Sequence, residues 1–180
     1  MAGERTTAMD VEHQSQRSEH AWRILDAVRD WTKHAETKAA TTLAASGVVG
    51  GVLYSLVTGG DDRSPWFTVA VAVSALCSVS AGVTAGLVLL PRQRLTGSAL
   101  PTSLLFHHHI TRECATGRDY GDRLNELLRD EDALVTAVAD QIWATAVVAG
   151  RKYRWVGRSI ALLLLAVVAV AVAAVVSAVG

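Results

Sequence analysis

The sequence predicts an all-α integral membrane protein with three transmembrane helices and a helical cytoplasmic extension. Three stretches without a charged residue predict the spans: Ala39 to Val57, Trp66 to Leu90 and Ser159 to Val179. A helix needs about 20 mostly apolar residues to cross a hydrocarbon core of roughly 30 Å. A soluble domain of 180 residues is too small to enclose three uncharged helices of this length. We therefore place the spans at 39–58, 66–90 and 159–179, with an external loop at 59–65.

The distribution of basic residues predicts the orientation of these spans. Six Lys and Arg precede the first span, Arg63 alone lies in the 59–65 loop, ten lie between the second and third spans, and none follows the third. Lys and Arg concentrate in cytoplasmic segments, so the N-terminus and residues 91–158 are predicted to be cytoplasmic and the C-terminus external. The first 19 residues contain no apolar run typical of a signal peptide. The expected location is the inner or plasma membrane of the cell.

Outside the spans, two segments have the apolar periodicity of amphipathic helices, from 20 to 36 and from 122 to 154. No Pro or Gly separates the first segment from the first span, so a cytoplasmic helix at 19–38 is predicted to continue into it as one rod. The second segment predicts a long helix before the last span, within a cytoplasmic helical region at 91–158. Residues 1–18 have few apolar side chains and are predicted to be disordered.

Two pairs of glycines at a spacing of four predict contacts between helices in the membrane. Gly47 and Gly51 lie in the first span, and Gly82 and Gly86 lie in the second. Small residues at this spacing let helix backbones approach closely, which predicts self-association through these glycines. The alternative is that glycine is simply frequent in membrane helices. The spans hold no Asp, Glu, His, Lys or Arg at mid-membrane that could relay protons or bind a driving ion.

The sequence predicts no catalytic residue, no metal site, no cofactor and no enzymatic activity. His107, His108 and His109 are adjacent, and consecutive side chains on a helix point about 100° apart, so they cannot converge on one ion without other ligands. No nucleophile elbow, phosphate loop or pair of catalytic carboxylates is present. A net charge of zero gives no general attraction to nucleic acid. Cys77 and Cys114 fall in a span and in the cytoplasmic region, where a disulfide is not expected.

The order of short motifs around the spans resembles the Pycsar effector transmembrane family. The residues before the first span are similar to that family's Asp-x-Lys-Ala signature, with Glu36 in place of the usual Asp, followed by Thr37, Lys38 and Ala39. The other similar motifs follow the family's order along the chain, from Trp31 to about Val172: Leu90-Pro91-Arg92, Leu104-Leu105-Phe106, Tyr120, Gln141-Ile142 and Arg151-Lys152-Tyr153.

This resemblance implies a membrane effector of bacterial anti-phage defence. In such a system a partner cyclase makes cyclic UMP or cyclic CMP during infection, and the effector senses the nucleotide and impairs the inner membrane, which stops the cell before phage release. Residues 91–158 would then form the sensor region, and the effector is expected to act in the bilayer as a homo-oligomer.

A cyclic mononucleotide carries one negative charge and a flat base, so its site needs cations or free N–H groups and a stacking surface. The candidate ligand-binding residues are Lys38, Gln141, Arg151, Lys152 and Tyr153, and the pair Lys38 and Lys152 is the central expectation. Basic and aromatic residues beside a span are also its ordinary anchors.

Two other hypotheses remain open from the sequence. One is a structural or plasmid-transfer-associated membrane protein whose cytoplasmic helices dock a protein partner. The other is a small constitutive pore, which is disfavoured because uncontrolled leakage would kill the cell. A cyclase gene beside this one would favour the effector hypothesis over both.

Overall fold

A computed structural model describes residues 2–59, 64–90, 104, 105, 110 and 114–179. Its helices are α1 (Ala2–Thr58), α2 (Pro65–Leu89), α3 (Gly117–Arg129) and α4 (Glu131–Val179), and no strand occurs among the described residues. Helices α1, α2 and α4 are each long and apolar enough to cross a membrane. The all-α class and the three spanning helices are therefore confirmed.

The helix α1 extends further toward the N-terminus than the sequence predicts. It begins at Ala2, within the segment 1–18 that the sequence predicts to be disordered. That segment contains no proline, and Gly3 is its single glycine, so nothing in its backbone chemistry ends a helix that is already formed downstream. The continuous rod that runs from residue 19 into the first span is present within the same helix.

The long cytoplasmic helix expected from 122 to 154 is divided in two at Asp130. The backbone N–H of Ala133 donates to the Asp130 carboxylate at 3.0 Å, which satisfies a donor in the first turn of α4. An aspartate that caps a helix has non-helical backbone angles, and Asp130 has φ −108° and ψ 102°. The apolar periodicity continues across this position, so the pattern alone does not reveal the break.

The chain forms two compact units, and α1 and α4 contribute to both. The first unit contains the described residues of 2–32 and 104–149. Its core is a cluster of Leu25, Leu134 and Val138, with Trp22 and Ile142 packed against it. Because these residues come from the apolar stripes of α1 and α4, the two amphipathic segments pack on one another.

The second unit contains the described residues of 33–90 and 150–179, and all three predicted spans lie in it. Two buried serines connect α2 to the other helices. Ser78 Oγ donates to the carbonyl oxygen of Ser46 in α1 at 2.9 Å, and Ser74 Oγ donates to that of Ala166 in α4 at 2.8 Å. The helix α2 therefore contacts both α1 and α4 in this unit.

Candidate functional site

A small apolar cluster brings α1, α2 and α4 together just before the first and third spans. Ala35 and Ala39 of α1 pack with Val88 of α2 and Val156 of α4, and all four are buried. Two alanines on one face of α1 let the helix backbones approach closely. The residues that flank this cluster on α1 and α4 are consequently held near one another, and they include three of the predicted ligand-binding residues.

The first contact beside the cluster is an ion pair between Lys152 of α4 and Glu36 of α1. The ammonium of Lys152 donates a hydrogen bond to Glu36 Oε1. The side chain of Lys152 is only 19% exposed, whereas that of Glu36 is 44% exposed. A cation that is largely removed from water needs an anionic partner, and here the protein supplies it.

The second contact joins Lys38 of α1 and Tyr153 of α4. The Lys38 ammonium lies 5.9 Å from the centroid of the Tyr153 ring, which is within the range of a cation–π interaction. Lys38 is exposed and Tyr153 is 38% exposed, so both remain accessible. The site thus presents a half-buried cation already paired with a carboxylate and, next to it, an accessible cation beside an aromatic ring.

Two other predicted ligand-binding residues are not part of these contacts. Arg151 is exposed and precedes Lys152 on α4, where successive side chains point about 100° apart. Gln141 is buried, with 8% of its surface exposed, and belongs to the first unit. Its backbone carbonyl accepts a hydrogen bond from Thr145 Oγ1 at 2.7 Å.

Sequence reasoning did not identify Glu36 as the partner of Lys152. The sequence singles out Glu36 only as a carboxylate at a family motif position. No signal in a single sequence pairs the two residues, because the sequence does not contain the register in which α1 and α4 meet. Ala35 and Ala39 mark the side of α1 that faces α4, and Glu36 is adjacent to the first of them.

The two glycine pairs lie in different surroundings. A Cβ atom added at Gly82 would lie 3.6 Å from Leu43 Cδ1 and 3.6 Å from Ser46 Cβ, whereas one added at Gly47, Gly51 or Gly86 would meet no atom within 4 Å. Gly82 therefore serves a contact between α2 and α1 within the chain. Gly47 and Gly51 are exposed on α1, as an oligomer contact requires.

Within the described ranges, no group of three or more His, Cys, Asp or Glu side chains is arranged to hold a metal ion. His107, His108 and His109 lie outside those ranges, as do Pro91 and Phe106 of the family motifs. The expectation about the histidine run remains a prediction from the sequence.

Comparison with known proteins adds a second, independent line of evidence. No solved structure matches the chain. A Pycsar effector protein of Propioniciclava tarda is 30% identical over 144 residues, which are 79% of this chain and 71% of that protein. The Pycsar effector protein domain matches residues 20–179. This match covers all three spans and both helices of the candidate site, and the chain therefore belongs to the Pycsar effector family, the membrane effectors of anti-phage defence.

Proposed function

We propose that this chain binds a cyclic pyrimidine mononucleotide, cyclic UMP or cyclic CMP, at Lys38, Lys152 and Tyr153, and that binding changes the packing of its membrane helices. A partner cyclase would make the nucleotide during infection, and the switched effector would impair the inner membrane and abort the infection. The observation that carries this proposal is the half-buried ammonium of Lys152, held by Glu36 beside the accessible Lys38 and Tyr153.

The chemistry of the site matches the chemistry of such a nucleotide. The cyclic phosphodiester has one negative charge, which the ammonium groups of Lys38 and Lys152 can accept in charge-assisted hydrogen bonds. The pyrimidine is a flat ring that can stack on an aromatic side chain such as Tyr153, a contact worth about 1–3 kcal/mol per base. Lys38 is on α1 and Lys152 is on α4, so one ligand could contact both helices at once.

The ion pair gives the switch its first step, an exchange of anions. The phosphodiester takes the place of the Glu36 carboxylate at the Lys152 ammonium, and Glu36, which is nearly half exposed, turns into water. A charge-assisted hydrogen bond contributes about 1.5–3 kcal/mol, so one such bond replaces another at Lys152 with little net gain. The surplus that favours the bound state comes from Lys38 and from stacking on Tyr153.

The magnitude needed is within reach of these contacts. A change of population from 1:99 to 99:1 takes about 5.5 kcal/mol of differential affinity. One new contact at Lys38 and one stacked base supply roughly 2.5–6 kcal/mol together. A switch made jointly by several copies would need less from each site.

The site and the three spans belong to the same compact unit, which supports transmission through the helices. Helix α1 is continuous from Glu36 to Thr58 and helix α4 from Lys152 to Val179. Packed helices move between discrete arrangements rather than deforming smoothly. A shift of α4 against α2 would break the hydrogen bond from Ser74 to Ala166, so that bond belongs to the resting arrangement.

The proposal includes the orientation and the assembly. The N-terminus is cytoplasmic and the C-terminus external, as the basic residues predict. Three helices of one chain enclose too little space to conduct, so impairment of the bilayer involves several copies, with Gly47 and Gly51 at the contact. The protein acts through packing and not through an enzymatic reaction.

The test is the membrane potential of cells that express this protein with an inducible synthase for cyclic UMP or cyclic CMP. Depolarisation is expected with the active synthase and not with a catalytically inactive one. Lys152→Ala should abolish the response while the protein remains in the membrane fraction. Depolarisation that ignores the nucleotide, or none in either case, would favour docking of a protein partner instead.

A further inference from the structure

Three arginines of α4 share one face of the helix, outside the proposed nucleotide site. Arg151, Arg154 and Arg158 are spaced by three and four residues, which places them on the same side of an α-helix. All three are exposed. No carboxylate of the described residues pairs with any of them. The face therefore presents three guanidinium groups whose charge is not neutralised by the described part of the chain.

The depth of this face relative to the uncharged span is fixed by helix geometry. Arg158 directly precedes the uncharged residues 159–179. At a rise of about 1.5 Å per residue, Arg154 lies about 6 Å and Arg151 about 10 Å further from the hydrocarbon core. The headgroup layer on each side of the core is roughly 5–8 Å thick. Arg158 and Arg154 therefore lie at the depth of that layer, and Arg151 lies at its outer boundary, within the length of an arginine side chain.

Trp155 holds part of this face in place. The guanidinium carbon of Arg158 lies 5.2 Å from the centroid of the Trp155 ring, and the Trp155 ring packs against the buried cluster of Ala35, Ala39, Val88 and Val156. A guanidinium that lies over an aromatic ring keeps its edge N–H groups available for a second partner. Tryptophan itself favours the interface between headgroups and hydrocarbon.

We propose that Arg151, Arg154 and Arg158 form a binding surface for the phosphate groups of anionic phospholipids in the cytoplasmic leaflet. Arginine pairs with phosphate through two parallel hydrogen bonds, which an ammonium cannot form. The surface is assigned to lipid because its three cations are exposed on the outside of α4 at headgroup depth, whereas the proposed nucleotide contacts lie between α1 and α4. It concerns a different ligand from the proposed nucleotide and does not depend on it.

The experiment uses the full chain with Trp155 as its single tryptophan, after the other four are replaced by Phe. The protein is placed in nanodiscs of phosphatidylcholine to which one brominated lipid is added, either brominated phosphatidylglycerol or brominated phosphatidylcholine. Bromine quenches nearby tryptophan, so the quenching of Trp155 fluorescence reports which of the two lipids lies beside it. Stronger quenching by the brominated phosphatidylglycerol is expected. Each Arg→Gln change at 151, 154 or 158 should lower that preference about fivefold, because a juxtamembrane cation contributes about 1 kcal/mol.

The matched control removes three positive charges from α3 instead, by changing Arg118, Arg123 and Arg129 to Gln. This variant should keep the preference for phosphatidylglycerol. Replacement of the three α4 arginines by Lys keeps the charge, and this variant should lose part of the preference because ammonium is not bidentate. If the variant with four Phe replacements does not fold, the protein with its native tryptophans is used instead. Native mass spectrometry then measures how much phosphatidylglycerol it retains with and without the three arginines.

Equal quenching of Trp155 by the two brominated lipids, in the protein that keeps all three arginines, would overturn the proposal. So would a loss of cyclic UMP binding in the Arg→Gln variants with an unchanged lipid preference, since the face would then belong to the nucleotide. Soluble cyclic UMP should leave the quenching by phosphatidylglycerol unchanged, and displacement of the lipid by the nucleotide counts against the assignment in the same way.

Discussion

Glu36 and Lys152 are 116 residues apart in the sequence, and their side chains form an ion pair between α1 and α4. The pair is asymmetric, because the Lys152 side chain is 19% exposed and the Glu36 side chain is 44% exposed. An incoming anion can therefore displace the carboxylate into water, whereas the less exposed side chain of Lys152 stays in place. In the proposed site, Glu36 therefore competes with the ligand, and Lys152 binds it.

The first prediction is that Glu36→Gln raises the affinity for the nucleotide. The neutral amide can still accept a hydrogen bond from the Lys152 ammonium, but it lacks the attraction between opposite charges. That attraction is worth about 1 kcal/mol in a partly exposed pair, which corresponds to roughly fivefold tighter binding. Titration calorimetry of the detergent-solubilised protein with cyclic UMP and cyclic CMP measures the change. Glu36→Asp keeps the charge and should bind within a few-fold of the wild type. Weaker binding to Glu36→Gln would mean that Glu36 positions Lys152 for the ligand and does not compete with it.

A second prediction separates the two lysines of the site from other cations. Lys38→Ala and Lys152→Ala should each reduce nucleotide affinity by about tenfold or more, since each loses a charge-assisted contact of about 1.5–3 kcal/mol. Lys33→Ala, on the same helix but outside the site, should bind normally. The measurement is the same titration, with the fraction of protein in the membrane as a check on insertion. Normal binding to both Lys38→Ala and Lys152→Ala would place the nucleotide elsewhere in the chain.

The third prediction concerns the ring of Tyr153. Tyr153→Leu removes the stacking surface and should weaken nucleotide binding by about five- to a hundredfold, which corresponds to about 1–3 kcal/mol. Tyr153→Phe keeps the ring and should bind nearly as well as the wild type. If the Phe variant is as weak as the Leu variant, the hydroxyl group and not the ring contacts the ligand.

The sequence predicts the helices better than it predicts the site. Uncharged length decides whether a segment spans a membrane, and this property is local, so the three spans can be read from composition alone. The break at Asp130 was missed because a cap depends on one side chain that reaches a backbone N–H, while the apolar periodicity continues through it. The helix α1 begins at Ala2, and disorder at 1–18 stays a prediction that rests on composition alone.

The site depends on which faces of two distant helices meet, and a single sequence does not contain that register. Lys38 and Lys152 could be chosen because both precede a span. Their actual neighbours, Tyr153 and Glu36, follow from the packing of Ala35 and Ala39 against Val156. Arg151 is also next to Lys152 in the sequence, but it is exposed on α4, and none of the contacts among the described residues of the site includes it.

The fourth prediction tests the orientation. A reporter fused after Gly180 should be active only outside the cytoplasm, and one inserted near Gly117 only inside it. The reason is that the basic residues concentrate before the first span and between the second and third spans. A pair of fusions with opposite properties, such as alkaline phosphatase and a fluorescent protein that folds only in the cytoplasm, gives each position a positive signal. The reverse pattern would remove the proposed nucleotide site from the compartment where a cyclase product accumulates.

The last prediction distinguishes the two glycine pairs: a substitution at Gly82 should change thermal stability, and substitutions at Gly47 and Gly51 should change oligomer formation. Isoleucine at Gly82 has atoms beyond Cβ that must displace Leu43 and Ser46, which already lie 3.6 Å from the Cβ position. Overpacking of this kind costs about 1–3 kcal/mol, so Gly82→Ile should lower the thermal unfolding temperature of the solubilised protein. Isoleucine at both Gly47 and Gly51 enters open space and should leave that temperature unchanged while it reduces crosslinked oligomers in the membrane, because the helices of two copies can no longer approach closely. Glycine-to-alanine changes at the same two positions are the matched control and should have a smaller effect on crosslinking. Oligomers and nucleotide-dependent depolarisation that survive in the Gly47→Ile and Gly51→Ile double variant would show that the copies meet through another face.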